Sequence, residues 1–192
     1  RNVSKDDFLV RCLEGNGCTV KGESLIRFRQ IPLQKFPAVK WIFFASRNAV
    51  RFFMNQKPDL PDDIKFGTIG KGTAEELRKY NRKTDFMGHS DDTRLSGRQF
   101  VSKSGHELVL FPQALGGIRT VQQQFKNPRQ VIDLAVYETM PVLTKIKSGN
   151  GFDIIVFTSP SNVDGFFGGG NSLKEEKVIA MGAATENVLK KK

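Results

Sequence analysis

The segment WIFFASRNAVRFF at 41–53 returns at 153–167 as DIIVFTSPSNVDGFF. Each is an apolar run, then a serine among small or polar neighbours, then a Val-containing stretch ending in Phe. A second pair follows in the same order, KFGTIGKGTAEELRKY at 65–80 and KVIAMGAATENVLKKK at 177–192. Placing Gly70 on Gly182 puts Thr73 on Thr185, Leu77 on Leu189 and Lys65 on Lys177. Ser46 stands 27 residues before Thr73, and Ser159 stands 26 before Thr185. Two motifs recurring in order at matched spacing mark an internal repeat. A unit of about half the chain is too long for a solenoid and suits a pair of similar domains.

Each copy reads as strand, turn, helix, then strand, turn, helix. Residues 41–45 and 153–158 are short runs of Ile, Val and Phe, as expected for strands buried on both faces. Ser46 and Ser159 follow, with Asn48 and Ser161 close behind, all of them residue types that cap helices. In the helices so begun, Val50 with Phe53 and Val163 with Phe166 are three apart and share one face. KFGTIG and KVIAMG are strands ending at Gly70 and Gly182, with Thr73 and Thr185 where the next helix begins. Strands and helices alternating at these lengths imply parallel sheets.

Between the copies, residues 106–125 predict another strand and helix separated by Gly116 and Gly117. SLIRFRQIPL at 24–33 and VIDLAVYETMPV at 131–142 alternate apolar and polar residues, and each carries a proline near its end. Two such extended segments flanking one copy are expected to pair as strands connecting two domains. The expected architecture is therefore α/β: two similar parallel-sheet domains with helices on both faces, joined by a two-stranded ladder. One domain is discontinuous, 1–22 with 143–192; 24–33 and 131–142 are the linker strands; 34–128 is the inserted second domain. The chain opens on a helix-like SKDDFLVRCLEGNG with no strand ahead of it and stops at Lys192 beside a helix. The natural polypeptide is expected to be longer at both ends.

Composition narrows the chemistry. Cys12 and Cys18, six apart, form neither a disulfide framework nor a common zinc spacing, so both are read as reduced thiols of a cytoplasmic protein. His89 and His106 are the only histidines, which argues against a metal site. No apolar run reaches the roughly 18 residues of a membrane span. Thirty Lys and Arg against 20 Asp and Glu leave a net charge of +10, which favours acidic partners.

A helix starting directly after a parallel strand points free N–H groups and a partial positive charge past the carboxyl edge of the sheet, where open α/β sheets bind ligands. Ser46, Thr73, Ser159 and Thr185 mark four such corners, and Ser161 adds a hydroxyl to one of them. Each corner offers a carboxylate or phosphate one hydroxyl and one or two amides, and several together suit a small polyanion. Competing motifs fail on spacing. GTIGKGT at 67–73 lacks the phosphate-loop order because Gly72 follows Lys71, and FGGGN at 167–171 lacks the dinucleotide spacing. Neither serine has the G-x-S-x-G elbow or a histidine in its neighbourhood. Tyr137, one of only two tyrosines, lies on a linker segment, and a phenol holds its proton at neutral pH and can donate it to a departing hydroxyl. A plain packing role on the strand is the other reading of Tyr137. Gln113 and Arg119 are further residues able to reach a carboxylate.

FFASRNAV, TIGKGTAEEL, LVLFPQALGGIR, LAVYETMP, VFTSPSNV and AMGAATENVL together resemble uroporphyrinogen-III synthase, in that family's order and over nearly the whole chain. The resemblance implies a two-domain fold with the active site in a cleft, no cofactor and no metal. It implies cyclisation of hydroxymethylbilane, a linear tetrapyrrole, with inversion of ring D. It also implies that Tyr137 assists departure of the hydroxyl and that Ser46, Thr73, Ser159 and Thr185 meet substrate; Ser161, close behind Ser159, is a further candidate for substrate binding. The chain departs from the family pattern in Ala184, where some relatives have a second hydroxyl, and in Ala45 and Arg47, where the second copy has Thr158 and Pro160.

The expected partner is thus a polyanionic small molecule, with no membrane, no nucleic acid, and the protein a monomer. A second class of function, a binding module of the same fold that holds tetrapyrrole or phosphate without turnover, is separated from the first by binding without isomer conversion. Nucleic-acid binding rests on net charge alone and lacks a recognition helix or an aromatic-basic platform.

Overall fold

The computed structural model describes residues 7–89, 91–143, 145–146 and 151–192. Residues 4–6 of the expected opening helix, and 144 and 147–150 of the expected discontinuous domain, lie outside them. In chain order the elements are α1 (Phe8–Glu14), β1 (Ile26–Gln30), β2 (Trp41–Phe44), α2 (Arg47–Met54), β3 (Lys65–Thr68) and α3 (Lys71–Arg78). They continue with β4 (Phe86–Met87), α4 (Thr93–Ser104), β5 (Val109–Ala114), β6 (Val131–Pro141), β7 (Ile154–Phe157), α5 (Pro160–Gly168), β8 (Lys177–Ala180) and α6 (Ala183–Leu189). The fold is mixed α/β, with a six-stranded sheet ordered β1-β6-β5-β2-β3-β4 and a two-stranded sheet of β7 and β8. Contacts divide the chain into two compact units, Arg1–Phe28 with Thr139–Lys192, and Arg29–Glu138.

In the unit Arg29–Glu138, β2 runs parallel to β3 and β5, β3 to β4, and β5 to β6. β2 is buried at every residue because helices cover both faces. On one face Ile42, Phe44 and Phe66 meet Val50 and Phe53 of α2 and Leu77 of α3. On the other, Trp41 and Phe43 meet Phe100 of α4, with ring centroids 5.4 and 4.5 Å apart. β1 joins the sheet antiparallel to β6: Ile31 N–H donates to Val136, and Val142 N–H to Leu25, so one strand rises as the other falls. The helix expected after Gly117 is not formed. Gln122–Gln124 make a single 3-10 turn, and the Gln122 amide donates to Gln113 Oε1 and Asp133 Oδ1.

The ends of α2 and α3 are tied by charge. Arg51 grips Glu76 with two hydrogen bonds of 2.8 and 2.9 Å, and Lys79 Nζ adds a third at 2.9 Å. Glu76 is only 4% exposed, and the Arg51 hydrogen bonds hold its carboxyl down from 4.5 to about 2. A lowered carboxyl contributes stability above its unfolded value of 4.5 and loses it as pH falls through about 2. With Arg51 half-exposed to screening water, the contribution is about 1–2 kcal/mol. Urea unfolding of Glu76→Gln is therefore expected to show that deficit at pH 7 and almost none at pH 2. A gap that persists at pH 2 rules out the ion pair as its cause.

In the other unit, β7 and β8 are parallel, and α5 and α6 pack one face through Phe157, Val163 and Phe166, with Val178 and Val188 beside them. The expected burial of residues 153–158 on both faces is corrected here. Ile154, Val156 and Ile179 are 51%, 40% and 49% exposed. In the first copy the corresponding positions, Trp41 and Phe43, lie under Phe100 of α4; among the described residues nothing buries Ile154 and Val156 in that way.

Candidate active site

Ser46 caps α2: its backbone is extended, and its Oγ accepts from Ala49 N–H at 3.1 Å. The hydroxyl oxygen thus closes the helix's own third amide, leaving the amides of Arg47 and Asn48 as the forward-facing donors of that turn. α3 begins at Lys71 after Gly70, which makes no side-chain cap. Thr73 is in its first turn, 5% exposed, with its N–H on the Gly70 carbonyl at 3.1 Å. Thr68, the last residue of β3, is fully buried, and among the described residues its Oγ1 has no hydrogen-bond partner.

β2 and β3 are parallel neighbours, so these two helix starts lie at one carboxyl edge. β5 and β6 run in the same direction, and Tyr137 pairs with Ala114, the last residue of β5. Topology therefore brings Ser46, Thr73 and Tyr137 to the same edge of one sheet. Tyr137 is 7% exposed, and its ring stacks on Phe52 of α2 at 4.9 Å and 18°. Two exposed cations not expected as site residues, Arg47 and Lys71, occupy the first positions of α2 and α3, where no acidic residue stands. A cation there opposes the helix dipole, and Lys71 Nζ lies 3.9 Å from Glu75 Oε1 of the same helix. Arg119 and Gln113 are engaged within the protein: Arg119 Nε contacts Asp133 Oδ2 at 2.8 Å, and Gln113 accepts from Gln122.

In the unit of Thr139–Lys192, Ser159 caps α5, and Asn162 donates to its Oγ through the backbone at 3.4 Å and the side chain at 2.9 Å. Asn162 Oδ1 accepts in turn from Leu25 N–H at 3.0 Å. Pro160 at the first helical position has no N–H, so this corner offers fewer amides than that of α2. Ser161, half-buried, lines a cavity of about 240 Å³ with Thr139, Pro141 and Asp164. The Asp164 carboxylate is paired with Lys192 Nζ at 3.0 Å. Thr185 is 2% exposed, and its hydroxyl donates to the Met181 carbonyl at 3.3 Å. Gly182 turns into α6 at φ 95°, a left-handed conformation that favours glycine, whereas its counterpart Gly70 is extended at φ 176°.

Among the described residues no group of three His, Cys, Asp or Glu is placed to hold a metal ion, and no helix is long and apolar enough to cross a membrane. Cys12 and Cys18 are exposed free thiols.

The sequence model of the family described as "Uroporphyrinogen-III synthase HemD" matches residues 7–192. The structure is similar to the crystal structure of uroporphyrinogen-III synthetase from Helicobacter pylori 26695, at 20% identity and a TM-score of 0.68, covering 87% of this chain and 80% of that one. It is also similar to a mutant uroporphyrinogen III synthase from the extremely thermophilic bacterium Thermus thermophilus, at 13% identity and a TM-score of 0.56, covering 97% and 85%. No curated protein matches the chain. At these identities the solved structures speak for the fold, and the family match over 7–192 supplies the assignment: the chain belongs to the uroporphyrinogen-III synthase family.

Proposed function

We propose that this protein converts hydroxymethylbilane into uroporphyrinogen III, inverting ring D through a spiro intermediate. The observation that carries the reading is the family match across residues 7–192. The terminal hydroxyl of the bilane leaves as water, taking a proton from the Tyr137 phenol and leaving an azafulvene cation. Attack at the substituted carbon of ring D gives the spiro compound; its fragmentation and reclosure at the free carbon of ring D give the inverted ring, and the proton lost from that carbon returns to the Tyr137 phenolate. The bilane closes without help to the uninverted isomer, so most of the protein's work is to hold the chain in the less accessible geometry.

The substrate's eight carboxylates suit corners built from amides and cations. Ser46 and Ser159 order their helix starts by capping them, Thr73 and Thr185 shape the turns from beneath, and Ser161 contributes a hydroxyl. In the unit Arg29–Glu138, carboxylates are held chiefly by the amides and side chains of Arg47 and Lys71. The domains are assigned as 1–22 with 143–192 and as 34–128, with 24–33 and 131–142 as connecting strands. The burial of Tyr137 beneath Phe52 favours a second reading, a module that binds a tetrapyrrole without turnover.

One assay separates the two. The protein is supplied with hydroxymethylbilane, the products are oxidised, and the porphyrin isomers are resolved. The type III isomer is expected in excess; type I alone, at the rate of the uncatalysed closure, overturns the enzymatic reading.

A further inference from the structure

We propose that Phe52 is a positioning residue for Tyr137, and that Gln56 secures Phe52 in that role; the inference rests on the reading of Tyr137 as the proton donor. The ring of Phe52 lies 4.9 Å from that of Tyr137 with only 18° between their planes. A face so covered leaves the phenol little freedom to tilt, since any rotation of the ring about its side-chain bonds runs into its neighbour. Tyr137 is gripped along its backbone as well: its carbonyl accepts from Leu115 N–H at 2.8 Å, and the preceding carbonyl, of Val136, accepts from Ile31 N–H at 3.0 Å.

Gln56 closes the circuit. Its Nε2 donates to the Phe52 carbonyl at 2.8 Å and to the Ile31 carbonyl at 3.1 Å. Its Oε1 accepts from Leu33 N–H at 2.9 Å. One side-chain amide thus acts on residues 31 and 33 as a neighbouring strand would, accepting from one and donating to the other. Ile31 thereby hydrogen-bonds Gln56 through its carbonyl and Val136 through its N–H. The end of α2, the end of β1 and the Tyr137 segment of β6 are linked by consecutive hydrogen bonds, and the aromatic stack ties α2 to β6 directly. α2 is also the helix that Ser46 caps, so the orientation of the phenol and the start of the anion-facing helix are set by one rigid element. A proton donor must meet its acceptor within hydrogen-bond reach, and small misplacements are costly.

Merely filling the core would also hold Phe52 in place, so the test must register coupling to the phenol. Kinetics are measured for the parent, Phe52→Leu, Tyr137→Phe and the double variant. Phe52→Leu is expected to lower kcat about five- to tenfold, with KM changed less than about twofold, when Tyr137 is present. In the Tyr137→Phe background the same change is expected to cost less than about twofold, because there is no hydroxyl left to aim. Phe52→Tyr keeps the stack and is expected to restore most of kcat. Equal losses in both backgrounds overturn the inference and leave the reading of Tyr137 intact. A parent that forms only the type I isomer, or a fully active Tyr137→Phe, overturns the reading and the inference with it.

A readout independent of turnover covers variants with poor activity. The chain has two tyrosines, so 3-fluorotyrosine labelling gives two 19F resonances, with that of Tyr137 identified by its loss in Tyr137→Phe. Phe52→Leu and Gln56→Ala are each expected to shift the Tyr137 resonance. An unmoved Tyr137 resonance in both variants overturns the positioning role.

Discussion

Tyr137→Phe is expected to lower turnover by about a hundredfold or more while leaving the protein folded. The substitution removes one oxygen and keeps the ring that stacks on Phe52 and packs among Val50, Phe53 and Val136. Loss of a hydroxyl hydrogen bond costs about 1 kcal/mol, well short of unfolding a domain. Protonation of a leaving hydroxyl by a placed acid contributes roughly a hundredfold or more, so its loss reads directly in the first-order step. The check is steady-state kinetics on hydroxymethylbilane with the thermal midpoint measured alongside. Unchanged kcat with an unchanged midpoint removes the proton-donor role from this residue. A fall in kcat together with the midpoint reports instead on the core.

Gly165→Ala is expected to destabilise the unit of Thr139–Lys192 by about 3 kcal/mol, although alanine is the better helix former. A Cβ at this position of α5 meets the Leu25 carbonyl oxygen at 2.4 Å, its Cβ at 2.9 Å and its carbonyl carbon at 3.2 Å. These are mostly backbone atoms, and the backbone at Leu25 is held twice, by Asn162 on its N–H and by Val142 N–H on its carbonyl. The methyl group must therefore push the Leu25 backbone away from α5 and strain both hydrogen bonds. Gly168→Ala is the control. Its Cβ meets only Leu143 Cδ2 at 2.9 Å, the tip of a flexible, exposed side chain. Urea titration should place the Gly165→Ala midpoint well below the parent and that of Gly168→Ala near it. Equal midpoints for the two variants would mean that α5 does not approach Leu25 this closely in solution.

The repeated corners were legible because their determinants are local. A serine between an apolar strand and a helical stretch has one good use for its oxygen, and Ser46 and Ser159 both accept from the third residue of their helices. α4 was not legible. Its buried positions include Ser96, Gly97 and Ser104, with Phe100 the one large apolar residue among them, so it lacks an apolar stripe; a small face is what lets Gly97 approach Gln124 and Ser96 bond His89. The two-residue β4 is too short to carry a period. The 118–125 segment has helical spacing, but Gln122 turns to Gln113 and Asp133, and these side-chain partners hold it to a single turn.

The sequence alone carries the strand–turn–helix units of the two copies, the Ser46 and Ser159 caps, the parallel pairing of the strands and the presence of two related halves. Each follows from chemistry acting over a few neighbouring residues. Packing between distant segments is what buries Glu76 between two cations, lays Phe52 on Tyr137, and leaves Ile154 and Val156 half-exposed while Trp41 and Phe43 are covered. Separation along the chain explains the difference. Glu76 is 25 residues from Arg51, Phe52 is 85 from Tyr137 and Phe100 is 57 from Phe43, and no local period or propensity encodes which distant side chain arrives to cover, pair or orient another.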